Sequence, residues 1–222
     1  MDTPRISRRR FLAAAGITLG ATALTLSGLT ELGAPEPSVT FPEITLGENT
    51  MSSKILIAYA SQAGSTGGVA EAIGKTLAES GAQVEVRLMK DVQDVAPYKA
   101  VVAGSAIRGG KWLPEALRFV QTHRVTLAQK PFVAFLVCIT LAMPDNKYRE
   151  GVATWLDPVR ALVRPVREGL FAGALDFSKL PLTPNTLLMR VPVTFGIFPQ
   201  GDHRDWSAIR AWAEDLKPVL MA

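Results

Sequence analysis

A short apolar run followed at once by a small polar loop constrains the fold of this chain most. Residues Ile55 to Ala60 are apolar without polar alternation, as in a strand buried on both faces of a parallel sheet. A loop rich in hydroxyl groups and glycine follows, and apolar residues then recur at helical spacing from Val69 to Leu77. This order points backbone N–H groups and the positive end of the helix at the loop. We expect an anion there, above all a phosphate; the alternative is a loop whose hydroxyl groups only cap the helix.

The rest of the chain alternates strands with helices. Further strands are predicted at 84–89 (an edge strand), 100–104, 132–139 and 170–175, and helices at 91–96, from Pro114, at 152–163 and at 205–216. The alternation predicts an α/β fold with an open, doubly wound parallel sheet and helices on both faces. Ligands of such sheets bind beyond the carboxyl ends of the strands, where the loops 61–66, 104–112 and 138–147 lie.

The first 34 residues are predicted to be an export signal. Ser7-Arg8-Arg9-Arg10-Phe11-Leu12 precedes an uncharged stretch of small and apolar residues, which is typical of a twin-arginine (Tat) signal. The stretch reaches Leu29 and is long enough to cross a bilayer, so retention as a membrane anchor stays open beside cleavage. The expected location is the periplasm or the outer face of the cytoplasmic membrane.

Composition narrows the classes of function. Residues 35–53 contain several prolines and read as a linker, which leaves 54–222 as one domain. The single cysteine, Cys138, excludes an internal disulfide. The net charge of +4 shows no clustered basic stripe and argues against nucleic acid as a partner. His123 and His203 stand alone, so no metal site is predicted.

The loop sequences resemble a known family. Ser61-Gln62-Ala63-Gly64-Ser65-Thr66 is similar to the flavodoxin phosphate loop, Thr/Ser-x-Thr-Gly-x-Thr, except that Ala63 lacks one hydroxyl group. The stretch from Val101 to Arg108, the stretch from Phe171 to Leu175, and the Asp205-Trp206 helix start resemble the flavodoxin-domain group that includes menaquinone-dependent protoporphyrinogen IX dehydrogenase. The resemblance covers residues 54–222 and implies a five-stranded flavodoxin-like sheet of order 2-1-3-4-5 with bound FMN.

Three loops supply the candidate FMN-binding residues. They are Ser61, Gln62, Ala63, Gly64, Ser65 and Thr66 for the phosphate, and Ser105, Ala106, Ile107, Arg108, Gly109, Gly110, Trp112, Cys138, Ile139 and Thr140 for the ring. Trp112 offers an aromatic face for the flavin, or packs on the sheet as an ordinary helix-start residue. Arg108 either pairs with a carboxylate or offsets charge on reduced flavin. Cys138 is expected to be a packed thiol, because no second cysteine exists to resolve a disulfide.

Residues 176–201 form an additional segment that a minimal flavodoxin does not contain. They are apolar but interrupted by prolines, and a long loop of this kind is usually functional. The protoporphyrinogen dehydrogenases carry an insertion in the same part of the chain. We expect this segment to dock a quinone, a membrane surface or a redox partner, or to fold as a lid over the apolar side of the domain.

Three functions stay open at this point. The resemblance implies an FMN-dependent oxidoreductase that transfers electrons between an organic reductant and a quinone-like acceptor, with no catalytic acid–base pair. The alternative is an exported electron carrier without a substrate of its own, although flavodoxin carriers tend to be acidic and this sequence has a pI near 9.4. A third alternative is a flavodoxin-like fold that has lost FMN, since Ala63 weakens the phosphate loop.

Overall fold

In a computed structural model, the described residues are 39–47, 54–143, 149–179, 193–194 and 199–221. The predicted signal at 1–34 lies outside them, as do parts of the predicted linker and most of the apolar insertion. None of the helices in these ranges is long and apolar enough to cross a membrane.

The core of the fold is a parallel sheet. The strands are β1 (Ile44–Leu46), β2 (Lys54–Ala60), β3 (Gln83–Leu88), β4 (Ala100–Arg108), β5 (Lys111–Trp112), β6 (Phe132–Cys138), β7 (Arg167–Ala172), β8 (Ala174–Leu175) and β9 (Gly201–Asp202). Five of them pair in parallel in the order β3-β2-β4-β6-β7. This arrangement is the predicted order 2-1-3-4-5, and it confirms the predicted flavodoxin-like fold class.

Helices cover both faces of the sheet. They are α1 (Ser65–Ala78), α2 (Pro114–Thr122), α3 (Arg124–Leu127), α4 (Asp157–Leu162) and α5 (Trp206–Leu220). Apolar residues of α1 and α5 share one buried cluster with one face of the sheet, whereas α2 and α4 share another cluster with the opposite face. The central strands β2 and β6 are therefore buried on both sides, as their continuous apolar sequences predicted.

The strand at 84–89 was predicted as an edge strand, and this is wrong. β1 pairs with β3 in antiparallel fashion, with Ile44 opposite Val86 and Leu46 opposite Val84. Ile44 and Leu46 pack against the apolar cluster of α1, while Thr45 between them is exposed. Part of the range 35–53, which was interpreted as a linker, thus contributes a strand to the sheet.

Three other predicted elements differ from the structure. In place of the helix predicted at 91–96 there is a 3-10 turn, Met89–Asp91, that ends at Asp91. Beyond it Asp94 Oδ1 accepts the Ala96 N–H at 2.8 Å, which competes with helical bonding. The range 152–163 is divided into a 3-10 turn, Val152–Leu156, and α4, because Pro158 cannot donate a helical hydrogen bond. The strand predicted at 170–175 begins earlier, at Arg167, and is divided at Gly173 into β7 and β8.

Candidate functional site

The first loop begins where β2 ends and turns directly into α1. Ser61 Oγ accepts a hydrogen bond from the Gly64 N–H at 3.0 Å, which closes the loop on itself. Gly64 is the N-cap of α1 and has a φ of 81°, a left-handed conformation that glycine adopts without steric cost. The glycine of the predicted phosphate loop is therefore required by the backbone geometry.

The N-terminal end of α1 is suited to an anion. Gly64 has no side chain to accept the first N–H groups of the helix, and the first turn contains no acidic residue. Thr66 is fully buried, and its Oγ1 has no hydrogen-bond partner in the described part of the chain. A buried hydroxyl group without a partner is uncommon and costs free energy. A phosphate at the helix end would accept these donors, so the residues present fit a phosphorylated ligand.

The segment before β1 packs against the first loop, and Val39 and Thr40 line the same cavity as Gly64; no sequence pattern indicated this contact. A Cβ atom on Gly64 would lie 2.9 Å from Val39 Cγ1 and 3.4 Å from the Thr40 carbonyl oxygen. The Tyr59 hydroxyl donates a hydrogen bond to the Pro42 carbonyl at 2.9 Å, and burial raises the pKa of that hydroxyl well above its usual value. The segment thus fixes the position of the loop.

The second loop, predicted over 104–112, is a tight hairpin. β4 continues to Arg108 and pairs with β5, with Ile107 opposite Trp112. Gly109 and Gly110 form the turn with φ values of 57° and 71°, as a two-residue hairpin turn requires. Arg108 Nη1 donates to Gln62 Oε1 at 3.0 Å. The partner of Arg108 is therefore an amide of the first loop, and this bond brings two of the predicted loops together.

Trp112 does not offer an open face to a flavin ring. Its side chain is 2% exposed and packs in the cluster that contains α2 and α4, so its predicted stacking role is corrected to a core role. Its Nε1 is buried and has no partner among the described residues.

The aromatic ring beside the hairpin turn is instead Trp155, because a Cβ atom on Gly110 would lie 3.2 Å from Trp155 Nε1. Trp155 lies in the predicted helix at 152–163, where no motif marks it as a site residue.

The Ser105 side chain forms hydrogen bonds within the hairpin and to the residue that follows it. It is fully buried, and its Oγ accepts the Leu113 N–H at 3.0 Å and donates to the Ala106 carbonyl at 2.8 Å. Both interactions are within the protein, so this hydroxyl group is committed to the turn. Ala106 and Ile107 are half-buried and pack against the same core cluster.

The third loop follows β6 at the same edge of the sheet. Cys138 is 5% exposed, and burial raises the pKa of its thiol to about 11; the thiol is therefore protonated at neutral pH, consistent with a packing role. Ile139 and Thr140 lie in a 3-10 turn, Ile139–Ala142, and are half-buried. Since Ala60 pairs with Ser105 and Ala106 with Val137, the three loops are neighbours.

Two cavities adjoin these loops. The smaller, which we call the loop cavity, has a volume of about 190 Å³, and its lining includes Ala63, Gly64, Ser65, Lys179 and Arg204. The larger, the β7 cavity, has a volume of about 490 Å³, and its lining includes Leu141, Met143, Arg149, Leu170, Phe171 and His203. The basic residues of both cavities lie outside the three predicted loops, where no recognised motif marks them.

The described residues contain no group of three or more His, Cys, Asp or Glu side chains placed to hold a metal ion. His123 contacts Phe119, with 4.9 Å between the ring centroids, and burial lowers its pKa. His203 lines the β7 cavity, whereas the sequence alone gave it no role.

Comparison with known proteins identifies the family. The chain matches the family model described as "Flavodoxin domain" over residues 56–192. Among solved structures, it is similar to a short-chain flavodoxin associated with a non-canonical PDU bacterial microcompartment, at 15% identity and a TM-score of 0.50, covering 74% of this chain and 97% of that one. A flavodoxin of Streptococcus pneumonia TIGR4 matches at 18% identity and a TM-score of 0.49, covering 74% and 98%. No curated protein matches the chain. The match over residues 56–192 shows that the chain belongs to the flavodoxin domain family, whose cofactor is FMN.

Proposed function

We propose that this chain is an FMN-dependent oxidoreductase that transfers electrons between an organic reductant and a quinone-like acceptor, as menaquinone-dependent protoporphyrinogen IX dehydrogenases do. The observation that carries the proposal is the β7 cavity, which adjoins the loop expected to line the flavin ring. Ile139 and Thr140 belong to the same 3-10 turn as the cavity residue Leu141. An electron carrier needs no such cavity.

The lining of the β7 cavity suits a flat organic molecule. Leu141, Leu170 and Phe171 supply apolar surface, and Leu170 is 40% exposed. Arg149 supplies hydrogen-bond donors for a carbonyl or carboxylate group, whereas the Nε2 of His203 already donates to the Gln200 carbonyl at 3.2 Å. A volume of about 490 Å³ lies in the range of pockets for small organic ligands. The lining also contains the carboxylate of Asp205, so the cavity combines apolar side chains with charged groups that could orient a ligand.

The chain's own residues position the cofactor. Bound FMN supplies the redox chemistry, because flavins accept a hydride from a donor and pass electrons on. The first loop and the N-terminal end of α1 would hold its phosphate, and the 108–110 turn with the 3-10 turn at Ile139–Ala142 would border its ring. Burial raises the pKa of the Cys138 thiol, so the thiol stays protonated and serves as a packed side chain.

The proposal is tested by kinetics of the FMN-loaded full chain with protoporphyrinogen IX as the electron donor and menadione as the acceptor. Leu170→Gln places an amide on the wall of the β7 cavity and is expected to raise the KM for menadione several-fold. Val166→Gln is the matched control. Val166 directly precedes β7 and, like Leu170, is exposed (45%), but it borders a different surface, with Arg164 and Arg167. Equal KM values for the two variants and the unmodified chain would contradict the proposal.

The carrier alternative predicts a different result in the same assay. A carrier would bleach with a chemical reductant and reoxidise with a one-electron protein acceptor, but it would not turn over with menadione. The pI near 9.4 favours the enzyme, because acidic docking surfaces are typical of flavodoxin carriers.

We also propose export by the twin-arginine route and docking to a quinone, membrane or redox partner through residues 176–201. The Arg8-Arg9-Arg10 stretch and the apolar composition of the insertion support these proposals. Deleting 178–199 and measuring FMN content and membrane partition would test the docking role; a change confined to stability would contradict it.

A further inference from the structure

Arg204 occupies an unusual position just before α5. Its Nε and Nη2 donate to Asp202 Oδ1 and Oδ2 at 2.8 and 2.6 Å, and its guanidinium lies 4.3 Å from the centre of the Trp206 ring. Hydrogen bonding to Arg204 lowers the pKa of Asp202, so the pair is charged at neutral pH. The side chain is only 17% exposed. These contacts hold the guanidinium in one orientation.

The remaining nitrogen of Arg204 points at the N-terminal end of α1. Nη1 donates to the carbonyl of Ser65, the first residue of the helix, at 3.3 Å. A Cβ atom on Gly68 in the same turn would lie only 2.5 Å from Nη1. Asp202 balances the charge of the guanidinium, and Nη1 contacts a carbonyl oxygen. The guanidinium thus lies beside the first turn, where an anion would be attracted both to it and to the partial positive charge of the helix end.

The loop cavity is the space that such an anion would fill. One wall is the first loop at Ala63, Gly64 and Ser65, and the facing residues include Arg204, Lys179 and Asp176. Asp176 lies 3.7 Å from Lys179 Nζ, and its Oδ1 accepts hydrogen bonds from both the N–H and the hydroxyl of Ser178. Asp176 is therefore paired within the protein, while no side chain caps the N–H groups of α1 and the buried hydroxyl of Thr66, in the same first turn, has no partner among the described residues.

We propose that Arg204, assisted by Lys179, binds the phosphate of FMN from the side opposite the first loop. The two cations would supply the binding energy that is lost with the hydroxyl group absent at Ala63. Asp202 and Trp206 act as positioning residues for the guanidinium. The inference rests on FMN as the cofactor of the first loop, and it adds a charged component to a loop that otherwise offers only hydroxyl and N–H groups.

The test compares the dissociation constants of FMN and riboflavin for the apo full chain by flavin fluorescence. Riboflavin has the same ring but no phosphate, so it separates phosphate binding from ring binding. Arg204→Gln is expected to weaken FMN binding roughly tenfold or more, because a charge-assisted hydrogen bond is lost, and to leave riboflavin binding unchanged. Lys179→Gln is expected to weaken FMN binding by roughly threefold at low salt, with the effect removed at high salt.

Arg210→Gln is the matched control, since Arg210 is an exposed cation on α5 and should leave both constants unchanged. Arg204→Lys retains the charge without the fork geometry and should restore part of the FMN affinity. Parallel loss of FMN and riboflavin binding in Arg204→Gln would make Arg204 a purely structural residue and overturn the inference, as would unchanged FMN binding. If the unmodified chain binds FMN and riboflavin equally well, the inference about Arg204 is overturned but the chain still binds flavin. If the unmodified chain binds neither flavin, the proposed FMN function is overturned as well.

Discussion

The N-terminal ends of α1 and α5 lie on the same face of the sheet and are built in opposite ways. At α5, Asp205 accepts hydrogen bonds from the Ser207 and Ala208 N–H groups, both at 3.0 Å. At α1, the N-cap is Gly64, which has no side chain to do this. The end of α5 is satisfied by its own residues and stabilises the fold, whereas the end of α1 leaves donors for a ligand. The difference indicates that the end of α5 serves stability, and it supports the proposal that the end of α1 binds a ligand.

The largest expected effect comes from forcing a side chain onto the α1 cap. Gly64→Ala should lower the free energy of unfolding by about 2 to 3 kcal/mol, because alanine at positive φ is strained and its Cβ would press on Val39 Cγ1. Urea unfolding followed by circular dichroism measures it. Gly81→Ala is the control: Gly81 has a φ of 88° with nothing within 4 Å of its Cβ position, so only about 1 kcal/mol of strain is expected. Equal losses would mean that the segment at 39–40 does not press on the loop.

The second expected effect separates binding from stability at α1. Thr66→Val removes the buried hydroxyl that has no partner among the described residues, so the free energy of unfolding should stay constant or rise. The dissociation constant for FMN should rise roughly tenfold, because one donor to the phosphate is lost.

Thr76 supplies the matched control for that variant. It is buried in the same helix, but its Oγ1 donates to the Ala72 carbonyl at 3.0 Å. Thr76→Val should leave FMN binding unchanged. A loss of stability in Thr66→Val with unchanged FMN affinity would show that α1 is capped by its own residues, as α5 is.

The smallest expected effect is the pH dependence of the α5 end. Hydrogen bonds from the Ser207 hydroxyl and the Ala208 N–H lower the pKa of Asp205. A carboxylate whose pKa is lower in the folded chain stabilises the fold above its unfolded pKa, near 4, and loses that contribution as the pH falls further. Asp205→Ala should therefore lower the unfolding midpoint by a few degrees at pH 7 and by less at pH 3.

Asp215→Asn removes a carboxylate from the exposed side of the same helix and serves as the reference for general charge effects. Thermal melts of the three proteins at pH 7, 5 and 3 measure the difference. A deficit of Asp205→Ala that is as large at pH 3 as at pH 7 would contradict a charged cap at α5.

Much of the fold could be predicted from local sequence patterns. The apolar runs of β2 and β6 and the helical spacing after Val69 indicate a parallel α/β sheet, because burial on both faces requires continuous apolar strands. The flavodoxin-like loop from Ser61 to Thr66 predicts where the phosphate of the cofactor binds, since its residues are consecutive. The predictions that were wrong concern elements with weak or conflicting local signals, such as the helix expected at 91–96 and the single helix over 152–163.

The sequence by itself determined the fold class, the strand order by resemblance and the polar loop between β2 and α1, because these depend on periodicity and short motifs. Only the tertiary structure decided that β1 covers the edge of the sheet, that Trp112 is buried and that Trp155 lies beside the hairpin turn. The approach of Arg204 to Ser65, across 139 residues of chain, has the same origin. Such contacts depend on how distant segments pack, and no local pattern encodes them.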